Sequence, residues 1–268
     1  MSHSGFRKES HDVPSGYFAW EAAGLRWLAS AAQVGGAAVV PLLEVGDHHL
    51  ELRRLSPTAP SVDAARAFGA GLARTHAAGA EAYGAGPPGW EGDGFFGPLE
   101  QPLPLVLGAW ETWGSFFAEA RVAPLVRTAR DAGLYDGRAT RTFDRVVERL
   151  TAGAFDTDGR PARLHGDLWS GNVMWTAEGA TLIDPAAHGG HRETDLALLA
   201  LFGAPHLDEI RRGYEEVQPL ADGWPERVGL HQLHCLLVHA VVYGGGYVGQ
   251  ALTVAGSLPT SHHAKDGR

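Results

Sequence analysis

At 268 residues the chain is long enough for one large domain or two modest lobes, and 44% apolar with 9% aromatic content suits a well-cored globular protein. Twenty-two basic residues stand against 31 acidic ones, a formal charge of −9, so no cationic surplus is left to hold a phosphate backbone and nucleic acid is excluded as a partner class. No run of about 18 uncharged apolar residues occurs, MSHSGFRKES lacks an apolar signal core, and the lone Cys235 in HCLLVHAVVY rules out a disulfide within the chain. A cytoplasmic protein with no membrane partner is the expectation.

In chain order, GFRKES reads as a short strand carrying Lys8. Residues Tyr17 to Ala32 place Phe18, Ala22, Leu25 and Leu28 at helical spacing, behind Pro14 and Ser15. VVPLLEVG and HHLELRRL are β-like runs parted by Gly46 and Asp47, a hairpin signal, so the first 55 residues form a small α+β lobe. Ser61 and Asp63 cap a helix running to about Ala78. Gly84 to Pro104, with PPGWEGDGFFGPLEQP, reads as a long ordered loop, and loops of that length are often functional. Helices follow at Trp110 to Ala132 and Arg138 to Thr151, then a strand-like TLID, then helices near 193–202, 206–217 and 226–242. The Tyr243–Tyr247 run YGGGY lacks both a preceding strand and a following Lys-Ser/Thr, so its glycines serve turns or close helix approach rather than a phosphate loop. The 14 histidines are scattered, which suits packing and solvent roles.

The stretch LHGDLWSGNVMW at 164–175 is too polar for core and too aromatic for an ordinary loop. Asp167 and Asn172 are five positions apart, and Asp184 follows the apolar Leu182 and Ile183. If Val173 and Leu182 lie in a hairpin, Asn172 enters one strand and Asp184 leaves the other, so both reach the same end. Hard oxygen ligands of that kind suit Mg²⁺, which takes few ligands from protein and the rest from phosphate and water. Asp167 can then deprotonate a substrate hydroxyl. An Asp, an Asn five positions on and a later metal-binding Asp is the order of phosphotransferase catalytic loops. Such chemistry also needs a lysine on the nucleotide phosphates, held by a helical carboxylate, and Lys8 with Glu21 offers that pair. His165 is expected to hold the loop backbone, and Asp195 to cap amides beneath it.

LHGDLWSGNVMW, with IDPAAHGGHRETDLALLALFG and YGGGYVGQAL, resembles the fructosamine kinase (ketosamine-3-kinase) family, in the aminoglycoside-phosphotransferase-like branch of the kinase fold. FRK followed by FAWEAAGLRWL is similar to that family's lysine strand and glutamate helix, GFFGPLEQP to its central loop, and WGSFFAEARVAP to its inter-lobe helix. The resemblance implies an α+β, two-lobed protein-kinase-like fold: a small nucleotide lobe over 1–55, a mainly helical catalytic and substrate lobe over 56–256, and a flexible tail over 257–268. It implies ATP-dependent phosphorylation of the sugar 3-hydroxyl of a ketosamine, on a small molecule or a protein, after which the adduct decomposes and frees the amine. By motif match Asp167 is the catalytic base, Asn172 and Asp184 the Mg²⁺ ligands, and Lys8 with Glu21 the phosphate-positioning pair. Trp169 sits beside the base, where an indole either stacks on a sugar face or anchors the loop. His191 and Arg192 are candidates for substrate contact.

Two departures stand out. Kinase-like folds close over ATP with a glycine-rich hairpin ahead of the lysine strand, and MSHSG is too short to make one, so the expectation is a reduced N-terminal lobe whose lid is absent or supplied otherwise, unless further residues stand upstream. Arg53 stands near the position where relatives carry a hinge Glu. The alternatives are a small-molecule kinase acting on another hydroxyl, such as an aminoglycoside's, and a kinase-like binding protein without turnover.

Overall fold

A computed structural model describes residues 5–157 and 159–259. The residues ahead of Gly5 lie outside the described residues, as does all but the start of the expected flexible tail. The chain opens with β1 (Gly5–Glu9) and α1 (Tyr17–Ala29), which continues as a 3₁₀ turn over Ser30–Val34. Then come β2 (Ala38–Val39), β3 (Leu42–Val45), β4 (His49–Arg53), α2 (Val62–Ala77), β5 (Gly94–Phe96) and β6 (Leu103–Leu105). Next are α3 (Trp113–Phe116), a π-helical segment (Phe117–Val122), α4 (Ala123–Asp131) and α5 (Gly137–Thr151). After β7 (Ala162–Leu164), β8 (Val173–Thr176), β9 (Gly179–Leu182) and β10 (His188–Gly190), the chain ends in α6 (Glu193–Leu201), α7 (Leu207–Val217), α8 (Trp224–Tyr243) and α9 (Gly246–Ser257).

These elements fall into two compact units, one running up to Ala109 and resuming over Arg160–Leu220, the other made of Trp110–Gly159 and the residues from Ala221 on. The first unit has two cores. In one, the antiparallel sheet β1-β4-β3 covers α1. Alternation along β4 buries Leu50 and Leu52 against Phe18, Ala22 and Leu25, while Arg53 faces out. In the other, Phe68 and Leu72 of α2 meet Val173, Trp175 and Leu182 of the β8–β9 hairpin and Ile210 and Tyr214 of α7. The α2–α7 crossing is close because both helices present glycine: a Cβ on Gly69 would overlap the Ile210 carbonyl, and one on Gly213 the Arg66 carbonyl. Ser61 caps α2, its hydroxyl accepting from the Ala64 amide at 3.2 Å.

The register of β8 and β9 pairs Val173 with Leu182, and the Ile183 amide donates to the Asn172 carbonyl at 3.1 Å. β2 runs parallel to β9 on its other side. Asn172 and Asp184 therefore emerge at one end of the hairpin.

In the second unit α8 packs on α4 and α9, and α5 on α4 and α9, burying Phe143, Val146, Leu150, Leu233 and Leu237. The structure refines the sequence reading here. Trp113 to Asp131 is helical throughout, as the periodicity over Trp110 to Ala132 predicts, but it starts at a Thr112 cap and carries a π turn over Phe117–Val122, just ahead of Pro124. Proline has no amide to extend the ladder, and apolar periodicity does not register that loss. Gly84 to Pro104 is not wholly irregular, since β5 and β6 pair antiparallel within it. Within Tyr243–Tyr247, Gly244 and Gly245, at φ 63 and 58, make a turn, and α9, for which the sequence reading has no assignment, follows.

Candidate active site

Lys8 on β1 and Glu21 on α1 meet at 2.9 and 3.0 Å, and the same Nζ lies 3.1 Å from Asp184 Oδ1. Burial disfavours the Lys8 ammonium, but the Glu21 and Asp184 carboxylates outweigh it and hold its pKa above the ordinary lysine value. Burial raises the Glu21 carboxyl even so. Asp184 follows the end of β9 in a left-handed conformation, φ 53, strain of the kind that collects at functional positions.

Asn172 Nδ2 donates to the Asp167 carbonyl at 2.7 Å and to its carboxylate at 3.1 Å. The amide side chain ties the loop to its own start and leaves its Oδ1 as a hard acceptor. Burial pushes the Asp167 carboxyl up to about 7, the Asn172 bond opposing and the Asp184 and Asp195 charges adding to it. A carboxyl so placed exchanges its proton near neutrality, as a general base should.

Beneath the loop, Asp195 in the first turn of α6 accepts from the His165 amide at 2.8 Å and the Gly166 amide at 3.0 Å. His76 of α2 bridges the same carboxylate, 3.1 Å, to the Tyr214 hydroxyl, 2.8 Å. Burial works against ionised Asp195, but these bonds prevail and hold it below the usual carboxylate range. His165 is fully buried; its Nε2 donates to the Ile183 carbonyl at 2.8 Å and its Nδ1 accepts from the Asp167 amide at 3.2 Å, which defines a neutral ring. Gly166, at φ 83, packs so closely on Ala186 that a Cβ would overlap its carbonyl oxygen.

Lys8, Glu21, Asp167, Asn172 and Asp184 line a single cavity of about 200 Å³. Trp169, His191 and Arg192 are not among its lining residues. Trp169 is 40% exposed and packs edge-on against Phe202 at 5.9 Å. Arg192 donates to the carbonyls of Gln218 and Pro219 beyond α7. His191 accepts from the Glu193 amide at the start of α6. The cavity is completed by residues to which the sequence reading gives no role: Tyr17 and Trp20 on α1, Phe95 to Leu99 in β5 and the turn after it, and Pro185 and Ala186 behind Asp184. The sequence reading picks out GFFGPLEQP and FAWEAAGLRWL as family-like stretches and the first as part of a long loop, without assigning these residues to the site. His76 carried no signal beyond its place in a helix.

Comparison with known proteins first defines the class. A thermostable mutant of an aminoglycoside phosphotransferase, solved with ADP and hygromycin B, superposes with a TM-score of 0.55 at 16% identity, covering 88% of this chain and 83% of that one. At that identity the likeness carries the fold, which is protein-kinase-like. A crystal structure from Thermobifida fusca assigned as a fructosamine-3-kinase superposes with a TM-score of 0.84 at 43% identity, covering 95% and 85% of the two chains. The sequence pattern of the fructosamine kinase family matches residues 2–258, and the chain belongs to that family. A probable ketoamine kinase of Vibrio vulnificus is 34% identical over 199 residues, which span 73% of this chain and 64% of that relative, just under two-thirds of its length.

Proposed function

We propose that the protein is an ATP-dependent kinase that phosphorylates the sugar 3-hydroxyl of ketosamines and so promotes their deglycation. The observation that carries this reading is the convergence of Lys8, Glu21, Asp167, Asn172 and Asp184 on one cavity, in a chain of the fructosamine kinase family. In the reaction the Asp167 carboxylate takes the hydroxyl proton as the sugar oxygen bonds to the γ-phosphorus and the bond to the β-phosphate oxygen breaks, releasing ADP. Lys8, aligned by Glu21, steadies the nucleotide phosphates.

The donor set fits Mg²⁺: an Asp184 carboxylate and an Asn172 carboxamide oxygen are hard ligands at one hairpin end, and Asn172 spends its NH₂ on Asp167. When bound there, the cation would neutralise charge on the β- and γ-phosphates. Asp195 and His165 keep the loop's backbone in place. The nucleotide-holding residues belong to the lobe ending near residue 55 and the others to a catalytic lobe from 56 to 256. The acidic charge argues against nucleic acid as a partner, and among the described residues no helix is long and apolar enough to cross a membrane; the proposed substrate is a small-molecule or protein-bound ketosamine, met in the cytoplasm.

Incubation with Mg-ATP and a panel of fructosamines, ribulosamines and aminoglycosides, following ADP release and product mass, tests the reading. Ketosamine phosphorylation is expected. Phosphorylation confined to aminoglycosides points to the other-alcohol reading, and nucleotide binding without turnover to a binding protein.

A further inference from the structure

We propose that the β5–β6 hairpin selects the alcohol, and that Trp20 is the positioning residue that sets this hairpin against the phosphate-side pair. The inference rests on the phosphotransfer reading and extends it to the second substrate. The cavity lining divides by chemistry. Its charged members all have tasks on phosphate, metal or proton. The remainder, including Tyr17, Phe95, Phe96, Pro98 and Leu99, carries no formal charge near neutral pH. A neutral wall of rings, aliphatic groups and backbone dipoles is poorly suited to a triphosphate and well suited to a sugar face or the apolar part of an amine carrier.

Two residues of α1 hold the hairpin, Trp20 by a hydrogen bond and Tyr17 by a ring contact. Trp20 Nε1 donates to the Phe95 carbonyl at 3.0 Å, and its ring meets Trp90 with centroids 5.3 Å apart. Gly94 lies so near that any Cβ would overlap the Trp20 indole. Tyr17 adds a ring contact to Phe95 at 5.6 Å. The base of the hairpin is closed by Asp93, which accepts from the Leu107 amide at 3.0 Å. At its tip Gly97 takes φ 98, and the Gln101 amide donates to the Pro98 carbonyl at 3.0 Å. Trp20, 2% exposed, acts through the hairpin rather than by broad contact with a ligand. The next residue on the same helix is Glu21, which holds Lys8. Consecutive residues of α1 thus hold two walls of one cavity, and a hairpin that drifts would misplace the acceptor hydroxyl against Asp167 while the Lys8–Glu21 pair stayed closed.

Trp20→Phe keeps a buried ring and removes the N–H. It should raise the acceptor KM by about fivefold or more and leave the ATP KM within about twofold, since positioning energy is realised only with that substrate bound. Phe95→Ala in β5 and Leu99→Ala in the turn should reorder kcat/KM among fructose- and ribose-derived acceptors. Equal changes in both KM values, or none, with an unaltered acceptor ranking, would overturn the proposal while leaving a ketosamine kinase intact. If only a non-ketosamine alcohol is turned over and its KM responds as described, the hairpin stands and the substrate assignment falls. Turnover of no acceptor in the panel overturns both.

Discussion

At the scale of single residues the site is an arrangement of charge in partial shelter from water. With Asp167 as the proposed base for the acceptor, Asp167→Ala should lower kcat by about 10²–10⁴ while nucleotide affinity, measured by titration calorimetry, changes little. A large loss of nucleotide affinity instead would assign Asp167 to binding. His165 supplies a pH dependence of stability. Burial depresses its folded-state pKa below the ordinary 6.5, so the unfolded chain takes up a proton the folded one refuses. Its contribution is fully present above that value and is lost as pH falls through the lower, folded pKa. Chemical denaturation between pH 8 and pH 5 should show stability declining below about 6.5, and His165→Gln should flatten the decline.

At the scale of elements, two close approaches place the loop. The β8–β9 hairpin sets Asn172 and Asp184 side by side, and the α2–α7 crossing brings His76 and Tyr214 beneath Asp195. The crossing depends on two residues without side chains. Gly213→Ala forces a methyl group into the Arg66 carbonyl and should cost about 1–3 kcal/mol by urea denaturation, the usual penalty for overpacking a fitted interface. A neutral Gly213→Ala would mean that the helices separate freely. Because α2 carries His76, the same variant should also lower kcat more than it alters the ATP KM.

At the scale of the whole molecule, nucleotide binding and folding are one linked equilibrium. A ligand at about 100 times its Kd stabilises by about 2.7 kcal/mol, which for a chain of this size amounts to several degrees in Tm. Mg-ATP should produce that rise in a thermal melt. Asp184→Asn should remove the part of the shift that depends on Mg²⁺ and keep the part seen with ATP in the presence of a chelator. A magnesium-dependent shift that survives the substitution would take Asp184 out of the metal set.

Much of this was readable from residue order, because the chemistry is local. Asp167, Asn172 and Asp184 sit within 18 positions of one another, and a strand period of two over Val173–Trp175 and Gly179–Leu182 suffices to bring them to one end. Lys8 and Glu21 are close for the same reason, a short strand followed by a helix. What only the tertiary structure decided spans longer separations. The Trp20–Phe95 bond joins residues 75 apart, and the His76–Asp195 contact residues 119 apart. A histidine in an amphipathic helix or a phenylalanine in a glycine-rich stretch carries no mark of its partner, since hydrophobic period and turn composition report on local backbone alone. Which distant side chains meet depends on how helices and hairpins pack, and here that packing rests on glycines at single carbonyl contacts.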